Sequence, residues 1–190
     1  MSDQAEDFLV AKNEEQLEQK DYKEAEATAQ ELVQRDPKEA LAWFVKGKTL
    51  YLEGEYEESL SCLAKSAELE RENAEIWHVM GFCLIALQRY GEAIEALEYV
   101  KSAKPKDASA IYALGLCYVL SGDIANARKN TSEAISLNKE LALKLANSAY
   151  TQAIETSQEV SSSLKAQIER NLETIRVAEI NGYGGSRKEG

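Results

Sequence analysis

Nucleophilic or acid–base chemistry in this chain has a single histidine, His78, to work with. A Ser-His-Asp or Cys-His arrangement would have to run through it, and no nucleophile signature surrounds it. The three cysteines, Cys62, Cys83 and Cys117, form no CxxC pair. Zinc needs about four convergent ligands, and one histidine with three scattered thiols offers no such spacing. The acidic pairs Glu14-Glu15 and Glu57-Glu58 are adjacent in sequence, so on a helix they splay apart instead of converging on a substrate. Gly182, Gly184 and Gly185 sit in a polar tail with no preceding strand, so they do not make a phosphate-binding loop. Asn130-Thr131-Ser132 matches a glycosylation sequon that is silent in a cytosolic chain. These residues point away from an enzyme, and no catalytic residue, metal or cofactor is expected.

The elements around them are helical by composition. Only two prolines and ten glycines occur in 190 residues, 44% of which are hydrophobic and 29% charged. Few helix breakers among abundant Ala, Glu, Leu and Lys favour helices. The formal net charge of -11 repels phosphates, so neither nucleic acid nor an anionic membrane is expected as a partner. No apolar run approaches the roughly 20 residues of a membrane span. The opening residues lack the basic stretch and apolar core of a secretory leader, and the odd, sparse cysteines suit a reducing compartment. The expected location is the cytoplasm.

A period of 34 residues organises most of the chain. It relates Trp43 to Trp77, and Gly47 to Gly81 and Gly115. The same interval links Tyr22, Tyr56, Tyr90 and Ile124, as well as Ala25, Ser59, Ala93 and Ala127. Cys83 and Cys117 repeat it, while Gly54 with Gly122 and Pro37 with Pro105 lie two periods apart. Each period reads as two helices. In the third, these are expected over 74–87 and 91–103, with Gln88-Arg89-Tyr90 turning the chain and Lys104-Pro105 ending the unit. Glycine inside a helix costs about 1 kcal/mol. Its recurrence at 47, 81 and 115 predicts close helix approach, with Ala25, Ser59, Ala93 and Ala127 at the facing place.

These residues resemble the tetratricopeptide repeat (TPR), a helix–turn–helix unit. The third unit carries the pattern as Trp77, Met80-Gly81, Leu84, Tyr90, Ala93, Leu97, Val100 and Pro105. The fourth has Ile111, Leu114-Gly115, Tyr118, Ala127, Thr131 and Ala134, with Lys139 in place of proline. The second has Trp43, Gly47, Leu50, Tyr56 and Ser59, with Arg71 at the proline position. The first keeps its Asp21-Tyr22-Lys23-Glu24-Ala25 turn and Asp36-Pro37 ending, but Asn13 replaces the small residue. The resemblance implies an all-α, right-handed superhelical solenoid of helix–turn–helix units with C-terminal capping helices. Residues 1–140 would hold four repeats, at about 6–39, 40–73, 74–107 and 108–141.

The resemblance further implies that the first helices of successive units line a concave groove. That face would present Leu41, Phe44, Lys48 and Tyr51 from the second unit. The third would add Glu75, His78, Phe82 and Ile85, and the fourth Ser109, Tyr112, Leu116 and Val119. The same face would also present Leu52, Ala86 and Leu120, which packing between neighbouring units can claim instead. TPR domains that clamp the C-terminal carboxylate of heat-shock chaperones use Lys, Asn and Arg in the groove. Here the corresponding positions hold Val10, Glu14, Val45, His78 and Val79, so that clamp is not expected. An apolar and aromatic stripe suits a protein or peptide ligand, either an amphipathic helix or an apolar extended segment.

Past residue 140 the period fails. Leu141, Leu145, Ala149, Ala153 and Ile154 outline one amphipathic helix, and Val160, Leu164, Ile168, Leu172 and Ile175 another. Residues 141–180 are expected to cap and extend the array, and 181–190 to be a disordered tail. Residues 1–39 hold twelve acids and five bases, a net of -7, which reads as a solvated face that keeps the array soluble, with steering of a basic partner as the alternative. The leading expectation is an interaction module or scaffold. The alternatives are a small TPR chaperone protecting a partner before assembly or secretion, and a protein that self-associates, as a homodimer, through 160–175.

Overall fold

A computed structural model describes residues 3–140. Among them are eight α-helices and no strand: α1 (Asp3–Glu18), α2 (Tyr22–Arg35), α3 (Ala40–Glu53), α4 (Tyr56–Leu69), α5 (Ala74–Ala86), α6 (Tyr90–Ala103), α7 (Ala108–Leu120) and α8 (Ile124–Leu137). In the third repeat the helices begin or end within one residue of the expected 74–87 and 91–103, with Tyr90 starting α6 instead of closing the turn. The expected capping helices and tail, at 141–180 and 181–190, lie outside the described residues.

The turns inside each repeat share one backbone solution. Lys20, Gly54, Gln88 and Gly122, again 34 residues apart, all adopt positive φ, at 60°, 96°, 59° and 82°. The amide of the following residue then reaches back to the helix it has left. Asp21 N donates to Gln16 O, Glu55 N to Leu50 O, Arg89 N to Leu84 O and Asp123 N to Tyr118 O, at 2.8–2.9 Å. This is a Schellman ending, which satisfies carbonyls that a helix terminus otherwise leaves open. Helix starts are capped by Asn73, Asp107 and Asp123, whose side chains accept from Glu75 N, Ala110 N and Asn126 N.

The chain forms two compact units, one ending at Pro105 and the other starting at Lys106. In the first, each helix packs on its chain neighbour, and α3 also touches α1 and α5. One part of its core joins Leu9, Ala29, Leu32, Val33, Ala42 and Val45. Another joins Leu63, Ile76 and Cys83, with Phe44, Tyr51 and Val79 against it. Trp43 Nε1 donates to Pro37 O at 2.9 Å and Trp77 Nε1 to Arg71 O at 2.8 Å. Each indole therefore ties down the loop between repeats, which gives the recurrence of tryptophan a physical cause. In the second unit α7 packs on α8.

The repeated glycines are sites of close approach. A Cβ on Gly47 would lie 2.7 Å from Leu63 Cγ, and one on Gly81 2.8 Å from Leu97 Cγ. On Gly115 it would lie 2.8 Å from Thr131 Oγ1 and 3.1 Å from Thr131 N. The nearest atoms thus belong mainly to the residue one turn beyond the expected small ones. Ala25, Ser59, Ala93 and Ala127 are all buried, and Ser59 Oγ donates to Gly47 O at 2.7 Å. In the first repeat Asn13 takes the glycine position and is 1% exposed. Its Nδ2 donates to Ala25 O at 2.8 Å and to Thr49 Oγ1 at 3.1 Å. Hydrogen bonding there offsets the burial of a polar group where the other repeats use small size.

Candidate interaction groove

The twelve groove candidates are four positions sampled in three repeats. Leu41, Glu75 and Ser109 share one; Phe44, His78 and Tyr112 the next; Lys48, Phe82 and Leu116 the third; Tyr51, Ile85 and Val119 the last. Steps of three, four and three residues keep all four on one helix face. In the first unit α3 supplies the set from Leu41 to Tyr51 and α5 the set from Glu75 to Ile85. The α1 residues at the same positions are Asp7, Val10, Glu14 and Leu17.

The first unit brings its candidates together across α1, α3 and α5. Lys48 Nζ lies 3.9 Å from Glu14 Oε1, joining equivalent positions of neighbouring first helices. Phe44, Tyr51, His78, Phe82 and Ile85 are half-buried, and Phe44 and Tyr51 pack against the core. The rings of His78 and Phe82 meet at 5.1 Å, tilted by 57°, and those of Tyr51 and Tyr56 sit 6.0 Å apart. Burial pushes the Tyr51 phenol up, assisted by Cys83 and Tyr56 nearby, so this hydroxyl stays neutral. At one end of the stripe Leu41 is 39% exposed. Glu75 is exposed there too, bonded to the Lys104 ammonium and 3.9 Å from His78 Nδ1. Leu52, at the other end, is exposed, and Ala86 is half-buried.

The second unit treats the same positions differently. Ser109, Leu116 and Leu120 are half-buried, but Tyr112 is 9% and Val119 6% exposed. Desolvation drives the Tyr112 phenol far above its usual range. Tyr112 and Val119 are thus buried here, while their counterparts His78 and Ile85 keep an accessible edge.

Two contributors were not foreseen from sequence. Glu14 lies opposite Lys48 and Lys104 bonds to Glu75; these pairs join residues 34 and 29 apart, which only the packing of repeats brings together. Lys48, the lone basic candidate, is thus already paired with a carboxylate, and Val45 is buried in the core. Neither is disposed to bind a ligand carboxylate.

The thiols face inward. Burial raises Cys62, Cys83 and Cys117, the last to about 12, and Cys83 Sγ lies 3.2 Å from Ser59 Oγ. Buried thiols held protonated are poor nucleophiles. No group of three or more metal-binding side chains occurs among the described residues. No described helix is long and apolar enough to cross a membrane.

Comparison with known proteins agrees with this architecture. A family model described as anaphase-promoting complex, cyclosome, subunit 3 matches residues 18–100, and one described as tetratricopeptide repeat matches 84–134. The solved structure of MamA from Desulfovibrio magneticus RS-1 is similar at a TM-score of 0.71 and 18% identity, over 93% of this chain and 96% of that one. The Pseudomonas aeruginosa PilF structure is similar at a TM-score of 0.67 and 18% identity, over 97% and 94% of the two chains. At such identities the likeness is one of fold. No curated protein matches the chain in sequence.

Proposed function

The chain belongs to the tetratricopeptide-repeat family, whose members are in general non-enzymatic protein-interaction modules, and from that premise we propose that its first unit holds an apolar segment of a partner protein along α1, α3 and α5. The observation that carries this reading is the half-buried stripe of Phe44, Tyr51, His78, Phe82 and Ile85 on two adjacent helices. Half-buried side chains present apolar area with less further loss of rotamer freedom than fully exposed ones. Aromatic anchors of this kind carry much of the energy at protein interfaces.

The flanking polar groups define the ligand. Glu14–Lys48 and Glu75–Lys104 each set a base against an acid, so neither pair offers the uncompensated positive charge that a terminal carboxylate or a strongly acidic peptide would need. An amphipathic helix with its apolar face inward fits the stripe best, anchoring through residues three to four apart. The chaperone alternative uses the same surface and differs in whether the partner stays soluble alone.

The test is partner capture by wild type beside a His78→Glu/Phe82→Glu variant whose helix content and melting are unchanged. Both positions retain accessible surface, whereas a glutamate at Tyr112 would be forced into a buried position. Partners held by wild type and lost by the variant support the groove. Identical partner sets would show that binding lies elsewhere.

A further inference from the structure

The turn of the second repeat carries a charge that the repeat register does not call for. Glu53, Glu55, Glu57 and Glu58 crowd the junction of α3 and α4, all of them exposed, with no base among residues 49–58. The neighbouring repeats hold Gln19 and Leu87, Asp21 and Arg89, Lys23 and Gly91, and Glu24 and Glu92 at these positions. Only the last position is acidic in all three repeats, and an acid there lies in the first turn of a helix, where the dipole favours it. Glu53 has the opposite placement. It ends α3, where a carboxylate is disfavoured and no base in the last turn offsets it. Glu55 precedes α4, but its side chain does not cap that helix. The adjoining turns bring no compensation: Lys20 and Lys23 share theirs with Glu18, Asp21 and Glu24, and Arg89 is held by Glu92 through bonds of 2.7 and 2.5 Å.

The same turn adjoins the apolar stripe. Leu52, one helical turn past Lys48, is 43% exposed beside Glu53, and Tyr56 sets its ring against Tyr51 of the stripe. Lys48 faces Glu14, and at the opposite end of the stripe Glu75 is bonded to Lys104. Uncompensated acid therefore gathers at one end of the stripe, at the α3–α4 turn. We propose, on the premise that the stripe of α3 and α5 is the binding groove, that its occupant is an amphipathic helix with lysine or arginine on one flank, laid so that this flank meets Glu53 and Glu55. Its apolar face covers Phe44, Tyr51, Phe82 and Ile85. Because the acids lie to one side of that stripe, they select which way round the helix sits as well as what it carries. A helix with acid on that flank is rejected by like charge.

The probe is a displayed library of helices of about 20 residues, with apolar residues three and four apart and Lys, Gln or Glu varied on both flanks, selected against the full chain. Selection enriches Lys over Gln, and Gln over Glu, on one flank only. A selected helix, resynthesised and titrated by fluorescence anisotropy, loses about threefold or more in affinity with Glu53→Gln/Glu55→Gln. Glu24→Gln/Glu95→Gln, which neutralises two exposed acids on α2 and α6 and changes the net charge equally, leaves its affinity unchanged. Equal loss with both pairs, or no loss with either, overturns the inference, and so does selection that enriches no flank. If those helices still lose binding with His78→Ser/Phe82→Ser, which removes the ring pair without adding charge, the groove stands and only its charge preference falls. Selected helices that bind this variant as they bind wild type, or a selection that yields none, overturn the groove reading and this inference with it.

Discussion

Substituting alanine for glycine at two helical positions should have opposite effects, and the contrast tests the close-packed register of the repeats. In a helix interior the exchange is worth about 1 kcal/mol in favour of alanine. Gly91, in the first turn of α6, is exposed, and a Cβ there meets nothing within 4 Å. Gly91→Ala should therefore stabilise the protein by roughly 0.5–1 kcal/mol. At Gly115 a Cβ would lie 2.8 Å from Thr131 Oγ1, 3.1 Å from Thr131 N and 3.4 Å from Ala127 O. Two of these atoms are backbone, so rotating a side chain cannot relieve the contact and α8 must shift. Overpacking of this kind costs about 1–3 kcal/mol. With the upper end of that range reduced by propensity, Gly115→Ala should destabilise by about 2 kcal/mol. The two variants then differ by about 3 kcal/mol, or roughly 6–12 °C in Tm for a chain of this size. Thermal melts followed by circular dichroism read the difference directly. A Gly115→Ala protein as stable as Gly91→Ala would refute the close approach of α7 and α8.

Three further outcomes follow from other parts of the repeat. Lys20→Gly and Gln88→Gly should each raise stability by about 0.5 kcal/mol in urea unfolding, because both residues hold positive φ; a loss at both would contradict the turn geometry. Asn13→Ala should cost about 1–3 kcal/mol, through lost hydrogen bonds and a cavity beside Ala25 and Thr49; a neutral change would show that Asn13 carries no packing role. Burial raises Cys83 and raises Cys117 to about 12, so the folded state keeps thiol protons that the unfolded state releases near its own lower value. Stability is therefore unaffected by these groups below about pH 9 and falls between there and about pH 12. At pH 8 a thiol reagent should label both cysteines far more slowly in the native protein than in urea, and equal rates would place them at the surface.

The sequence exposed the fold because its key residues respond to local and periodic constraints. Glycine at 47, 81 and 115 sits where a neighbouring helix leaves no room for a Cβ, and tryptophan at 43 and 77 where its indole ties down a loop. The turns were partly hidden. Gly54 and Gly122 signal positive φ, but Lys20 and Gln88 adopt it too, held by the same back-donated amides. Asn13 looked like a defect in the first repeat and is instead a buried hydrogen-bonding substitute. Groove membership was legible as a helix face, since spacing alone fixes direction. Accessibility was not. Phe44, His78 and Tyr112 share one position, yet only Tyr112 is buried, a difference that the shared spacing does not mark. The pairs Glu14–Lys48 and Glu75–Lys104 likewise arise from stacking and leave no local mark.

Site-specific photocrosslinking tests the central claim most directly. A benzophenone side chain replaces Phe82 on the proposed groove, and in a matched protein it replaces Ala64, which is exposed on α4. With the partner present, position 82 should crosslink to one short apolar segment of it, mapped by mass spectrometry, and position 64 should give nothing. Crosslinks from position 64 with none from position 82 would contradict binding along α1, α3 and α5.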